Sequence, residues 1–129
     1  GLRTTNDEPL GFNIFDARFV HEHGVAEVVR RVREVVGERK AYLTFDIDFL
    51  DPATAPGTGT PVPGGFSSHQ ALSIIRELKG VDFCGMDIVE VSPPFDVSDL
   101  TANAAAIIAA ELLCLKAWAR GARPEEMTA

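Results

Sequence analysis

The chain has 129 residues, 46% of them hydrophobic and 24% charged, with a formal net charge of -7. That length accommodates one domain and excludes most multidomain arrangements, and the apolar share excludes intrinsic disorder. No Lys/Arg cluster stands apart from acids, so the basic footprint of nonspecific nucleic-acid binding is missing, while an acidic surface suits a cationic small molecule.

Gly1 stands where a Met would start, and Arg3 to Glu8 is polar and loop-like. Together they suggest a piece of a longer protein. Phe12-Asn13-Ile14-Phe15 is short, apolar and aromatic, and predicts a strand. Val25, Val28, Val29, Val32 and Val36 recur at helical spacing and predict an amphipathic helix that Gly37 ends. Ala41 to Ile47 is a continuous β-prone run, and reads as a buried strand. From Asp51 to Gly65 the chain carries four prolines and four glycines, which demand a loop. Ser67 followed by Gln70 is a capping box that opens a helix. Ala71, Ile74, Ile75 and Leu78 form its apolar face, and Gly80 ends it. Val81 to Val91 holds another buried strand, stopped by Pro93-Pro94. Ser98 or Asp99 caps a last helix, which runs to about Arg120 before Gly121 and Pro124.

The resulting order is β-α-β-α-β-α. It implies an α/β fold with right-handed crossovers and a parallel sheet, and continuously apolar strands imply helices on both faces. Three strands make a narrow sheet with two open edges, a second sign of missing structure. Cys84 and Cys114 sit in apolar runs and read as buried thiols, which favours a reducing, cytoplasmic compartment. No signal peptide is recognisable. The Ala-rich run from Ala102 to Leu115 is broken by Glu111 and is too short for a membrane span, so no membrane partner is expected.

Ligands of open parallel sheets bind at the carboxyl ends of the strands. Here those ends carry Asp46 and Asp48 on one strand, and Asp87 and Glu90 on the other. In extended geometry Asp46 and Asp48 point to one face. So close a pair repels itself unless a cation lies between, and Mg²⁺ or Mn²⁺ suits such oxygen ligands. An isolated D-x-D also occurs as a turn cap, and Asp51-Pro52 is turn chemistry. The offsets exclude an EF-hand. A haloacid-dehalogenase type of phosphatase also places D-x-D after a strand, but Leu50 stands where a Thr or Val is usual.

The stretch FDIDFLDPATAPGTGTPVPGG, Phe45 to Gly65, closely resembles the ureohydrolase family of arginases and agmatinases. GMDIVEVSPPFD, Gly85 to Asp96, resembles the family's later signature, and the spacing between the two fits. Within the family, YLTFDIDFLDP and the approach through GLRTTNDE look most like agmatinases. The resemblance implies a three-layer arginase-like fold of which only the C-terminal part is present. Residues 1–129 would then be the C-terminal portion of a single, incomplete domain.

The same resemblance implies roles. Asp46 would bridge two Mn²⁺ ions, and Asp48 would bind one of them; these are the catalytic pair. Glu90 would hold the substrate guanidinium, and Thr60 would line its pocket. The reaction would be hydrolysis of agmatine to putrescine and urea, a step of polyamine biosynthesis, with guanidinobutyrate or another guanidino compound as the alternative substrate. A metal-bound water of lowered pKa suits so poor an electrophile, and a carboxylate can grip guanidinium through paired hydrogen bonds. A homo-oligomer is implied by the resemblance alone. The family's upstream G-G-D-H and D-A-H-x-D motifs are absent. Two of six ligands remain, so Mn²⁺ binding is expected to be weak or absent and the chain alone inactive. A non-catalytic remnant that binds a partner or assembles is the competing reading. His21-Glu22-His23, ahead of the valine helix, reads as surface, as does His69. Asp16 reads as a turn residue.

Overall fold

The computed structural model describes residues 10–121. The polar opening, GLRTTNDE and Pro124 lie outside the described residues. Three helices and two strands follow in the order α1 (Ala17–Val36), β1 (Ala41–Asp46), α2 (Ser68–Glu77), β2 (Phe83–Val89) and α3 (Leu100–Ala119). Single 3-10 turns, Ile47–Phe49 and Pro93–Phe95, follow the two strands.

The expected first strand does not form. Phe12 and Ile14 are largely exposed, and no strand pairs with them among the described residues. A strand needs a ladder, and a short aromatic run alone cannot supply one. The chain instead turns into α1 at Asp16, whose carboxylate accepts the Phe19 N–H at 2.8 Å. This helix starts earlier than the valine pattern suggests and breaks at Gly24, which adopts φ 82° and ψ 168°. His21, Glu22 and His23 therefore lie, exposed, within its first segment rather than ahead of it. Gly37 ends the second segment, as expected, with φ 57° and its N–H on the Arg33 carbonyl.

β1 and β2 pair in parallel, with Asp46 opposite Val89, and α2 makes the crossover between them. The α/β class stands, with a sheet of two strands rather than three among the described residues. Side chains alternate along β1. Leu43 and Phe45 pack with Met86 and Ile88 against Ala71 and Ile75 of α2 and Ile108 and Leu112 of α3. Tyr42, Thr44, Asp46, Asp87 and Val89 face outward and are exposed. The strands are thus covered on one face here, and continuous apolar character did not mean burial on both. A second cluster joins α1 to the same layer through Val29, Leu78, Val81 and Phe83.

The capping box of α2 forms as read. Gln70 N–H donates to Ser67 Oγ at 3.2 Å, and Ser67 N–H donates to Gln70 Oε1 at 3.0 Å. The start of α3 differs. Asp99 is the boundary residue in left-handed backbone at φ 57°, with no cap bond from its side chain. Asp96 does the capping, accepting the N–H groups of Thr101 and Ala102 at 3.0 Å each. α3 is twenty residues, long and apolar enough by length and composition to cross a membrane. Its length therefore exceeds the run read from the sequence. Thr101, Ile108 and Leu112 nevertheless bury one side of it in the protein core. Cys84 and Cys114 are exposed free thiols, not buried ones. Their apolar neighbourhoods are only half covered, and Ile107 and Leu113 on α3 are exposed too.

Candidate active site at the strand ends

The parallel register fixes what meets at the carboxyl end of the sheet. Asp46 is the last residue of β1 and sits opposite Val89, so Glu90 follows immediately on the neighbouring strand. Past Asp46 the backbone leaves extended geometry for the 3-10 turn, and Asp46 caps it by accepting Asp48 N–H at 2.9 Å. Pleat alternation therefore does not relate the two aspartates; a turn does. That turn is anchored by Ile47 and Leu50, both buried in the core.

Asp48 is half-buried, and both its carboxylate oxygens are engaged. Thr58 donates its hydroxyl to Oδ1, and Thr60 donates to Oδ2. The loop that supplies these threonines is itself closed. Asp51 accepts Ala53 N–H and Gly64 N–H at 2.9 Å each, and these two donors hold its carboxyl below the usual range. Leu50 bridges to Phe66, whose N–H reaches the Phe49 carbonyl at 3.0 Å, and the Phe49 and Phe66 rings stack at 4.2 Å. Gly65 must be glycine, because a Cβ there would lie 2.7 Å from Asp51 N. Between Asp48, Phe15, Phe49, Val62 and Phe66 lies a cleft of about 260 Å³.

Glu90 is positioned differently. It is exposed, its carboxylate has no hydrogen bond or ion pair among the described residues, and its backbone is left-handed at φ 65°. That conformation costs an L-residue roughly 1–2 kcal/mol and persists where the surroundings enforce it. Ser92, two residues on, donates its N–H to the Gly57 carbonyl at 2.8 Å. Gly57 N–H in turn donates to the buried Thr101 hydroxyl at 2.7 Å. Burial of the Asp96 carboxylate is outweighed by hydrogen bonds from Thr101, Ala102 and Val97, which hold its pKa down at about 2.

Asp46, Asp48, Thr60 and Glu90 are thus brought to one end of the sheet, with Thr60 resting on Asp48. The histidines stand apart. His21 stacks on Phe66 and lies 3.2 Å from the Gly64 carbonyl. His23 stacks on Phe19, and His69 is exposed in the first turn of α2. Sequence reading missed Thr58, Asp96 and Thr101. The alternating G-T-G-T pattern, which sends two hydroxyls the same way, was the available signal for Thr58. Among the described residues no group of three or more His, Cys, Asp and Glu could hold a metal ion. Asp46 and Asp48 offer hard oxygen donors, which suit Mn²⁺ or Mg²⁺ as part of a larger ligand shell.

A family model described as "Arginase family" matches residues 1–114. The agmatinase of Chromobacterium violaceum is 51% identical over 115 residues, covering 89% of this chain and 36% of that protein. The agmatinase of Escherichia coli O7:K1 is 50% identical over 121 residues, covering 94% of this chain and 40% of that protein. Among solved structures, a hypothetical agmatinase from Burkholderia thailandensis superposes with a TM-score of 0.83 at 58% identity, covering 93% of this chain and 38% of that one. Proclavaminate amidino hydrolase from Streptomyces clavuligerus gives 0.86 at 40% identity, covering 92% and 41%. The chain spans between 36% and 41% of the length of these relatives.

Proposed function

The chain belongs to the arginase family, and we propose from that premise that residues 1–129 are the C-terminal portion of one agmatinase-like hydrolase domain. Agmatine is the substrate we favour, cleaved to putrescine and urea. The observation that supports this reading is the register, in which Asp46 lies opposite Val89, one residue before Glu90, while a turn links Asp48 to Asp46.

In this reading Asp46 and Asp48 hold Mn²⁺ together with ligands from the rest of the domain. A metal held there would supply a water acidified toward neutral pH as nucleophile. The protein's own contribution is position. Glu90 accepts the guanidinium N–H groups through both oxygens, orienting the planar carbon for attack and neutralising its charge. Thr58 and Thr60 keep the Asp48 carboxylate from swinging away from the metal, as outer hydrogen bonds do for carboxylate ligands. The likeness to proclavaminate amidino hydrolase supports other guanidino compounds as the second substrate class. The free thiols of Cys84 and Cys114 agree with a cytoplasmic location.

Two carboxylates leave most of a Mn²⁺ shell to water, so the 129-residue chain is inactive on its own. Urea release from agmatine with added Mn²⁺ tests both parts. The chain alone is expected to release none, and the longer protein to turn over. Turnover by the chain alone would sink the partial-site reading. Phosphate release from p-nitrophenyl phosphate, with no urea, would replace the guanidino-hydrolase reading with a phosphatase.

A further inference from the structure

The second signature's Asp96 has no role in the site as described so far, and neither does Thr101. Both are more tightly bound into the structure than a helix cap requires. Thr101 is fully buried, and its hydroxyl accepts Gly57 N–H at 2.7 Å. Asp96 accepts N–H groups from Val97 at 2.8 Å and from Thr101 and Ala102 at 3.0 Å. The fit is close on every side. A Cβ at Gly57 would lie 2.7 Å from Asp96 Cβ and 2.8 Å from Thr101 Oγ1.

The Gly57 peptide is where the two strand ends meet. Its N–H is fixed by Thr101, and its carbonyl accepts Ser92 N–H at 2.8 Å. On one side of it stands Thr58, whose hydroxyl holds Asp48. On the other, Ser92 is two residues beyond Glu90, whose own backbone is left-handed. We propose that Asp96 and Thr101 are positioning residues which, by clamping Gly57, set the Asp48 carboxylate at a fixed place relative to Glu90. The inference rests on Asp48 and Glu90 being the metal and guanidinium ends of one site.

The test uses the longer protein that carries this segment, with Thr101→Val, Thr101→Ser and Asp96→Asn. Three quantities are read: Mn²⁺ affinity from the free-ion EPR signal, kcat and KM for agmatine, and Tm. Valine keeps the shape but leaves Gly57 N–H without an acceptor, and should weaken Mn²⁺ binding by about tenfold and raise KM, whereas serine restores both to within about twofold. Asp96→Asn should move them in the direction of valine, and decides the matter if the valine variant fails to fold. A lower Tm with unchanged Mn²⁺ affinity and KM would overturn the clamp and leave a merely structural contact. A parent protein that neither binds Mn²⁺ nor releases urea would overturn the functional reading, and the clamp with it.

Discussion

The two strand ends hold their carboxylates by opposite means. At the end of β1, Asp48 is restrained through its side chain, with a threonine hydroxyl on each oxygen and a buried turn beneath it. At the end of β2, Glu90 has a free carboxylate among the described residues and is restrained through its backbone, at φ 65°. The difference matches the two chemical tasks proposed for these residues. A metal ligand must present a fixed oxygen, so its rotamer is locked by hydrogen bonds. A carboxylate that grips a planar guanidinium needs both oxygens open to the ligand, so restraint has to come from the main chain.

The largest expected effect comes from unlocking the first end. Replacing Thr58 and Thr60 together by valine removes both donors to Asp48, and should weaken Mn²⁺ binding of the longer protein by about 10–100-fold. Equilibrium dialysis against Mn²⁺ reads this, and unchanged affinity would erase the contrast between the ends. Next is Gly57→Ala, which pushes a methyl into the Asp96 and Thr101 side chains at under 3 Å. Overpacking of this kind costs about 1–3 kcal/mol, measurable by denaturant unfolding. A smaller effect, of opposite sign, is expected at the second end. Glu90→Gly relieves the left-handed backbone and should stabilise the fold by about 1 kcal/mol while removing guanidinium binding. A destabilised Glu90→Gly variant would mean that the backbone there is not strained.

The most graded prediction concerns acid. Asp96 is held at about 2 in the folded chain, against an ordinary value of 3.8. A depressed folded pKa contributes stability that is fully present above the unfolded value and lost as pH falls through the folded one. The Asp96 contribution therefore disappears between about pH 4 and 2. Asp96→Asn should flatten that part of the stability–pH curve, and an equally steep curve in the variant would show that other carboxylates set it.

How far the chain could be read without coordinates divides along the same line. The place of Asp46, Asp48 and Glu90 at the strand ends was legible because a D-x-D after a β-prone run and a strand-end glutamate are local patterns. The Ser67–Gln70 capping box was legible for the same reason, and it formed. What failed depended on distant partners. Phe12 to Phe15 has strand composition but no ladder among the described residues. Cys84 and Cys114 lie in apolar runs, yet only the opposite sides of β2 and α3 are packed. At α3 the nearer Ser98 and Asp99 hid Asp96, whose carboxylate reaches five residues along to Thr101 N–H. Nothing in the local pattern reports that a loop glycine 44 positions away will lean on that threonine.

The division of labour between the strand ends is tested most directly by one paired measurement on the longer protein: bound Mn²⁺ and agmatine affinity for Asp48→Asn and Glu90→Gln side by side. The account predicts that Asp48→Asn loses Mn²⁺, and that Glu90→Gln keeps its full Mn²⁺ content but binds agmatine at least tenfold more weakly. Loss of Mn²⁺ from Glu90→Gln, or normal Mn²⁺ content in Asp48→Asn, would contradict it.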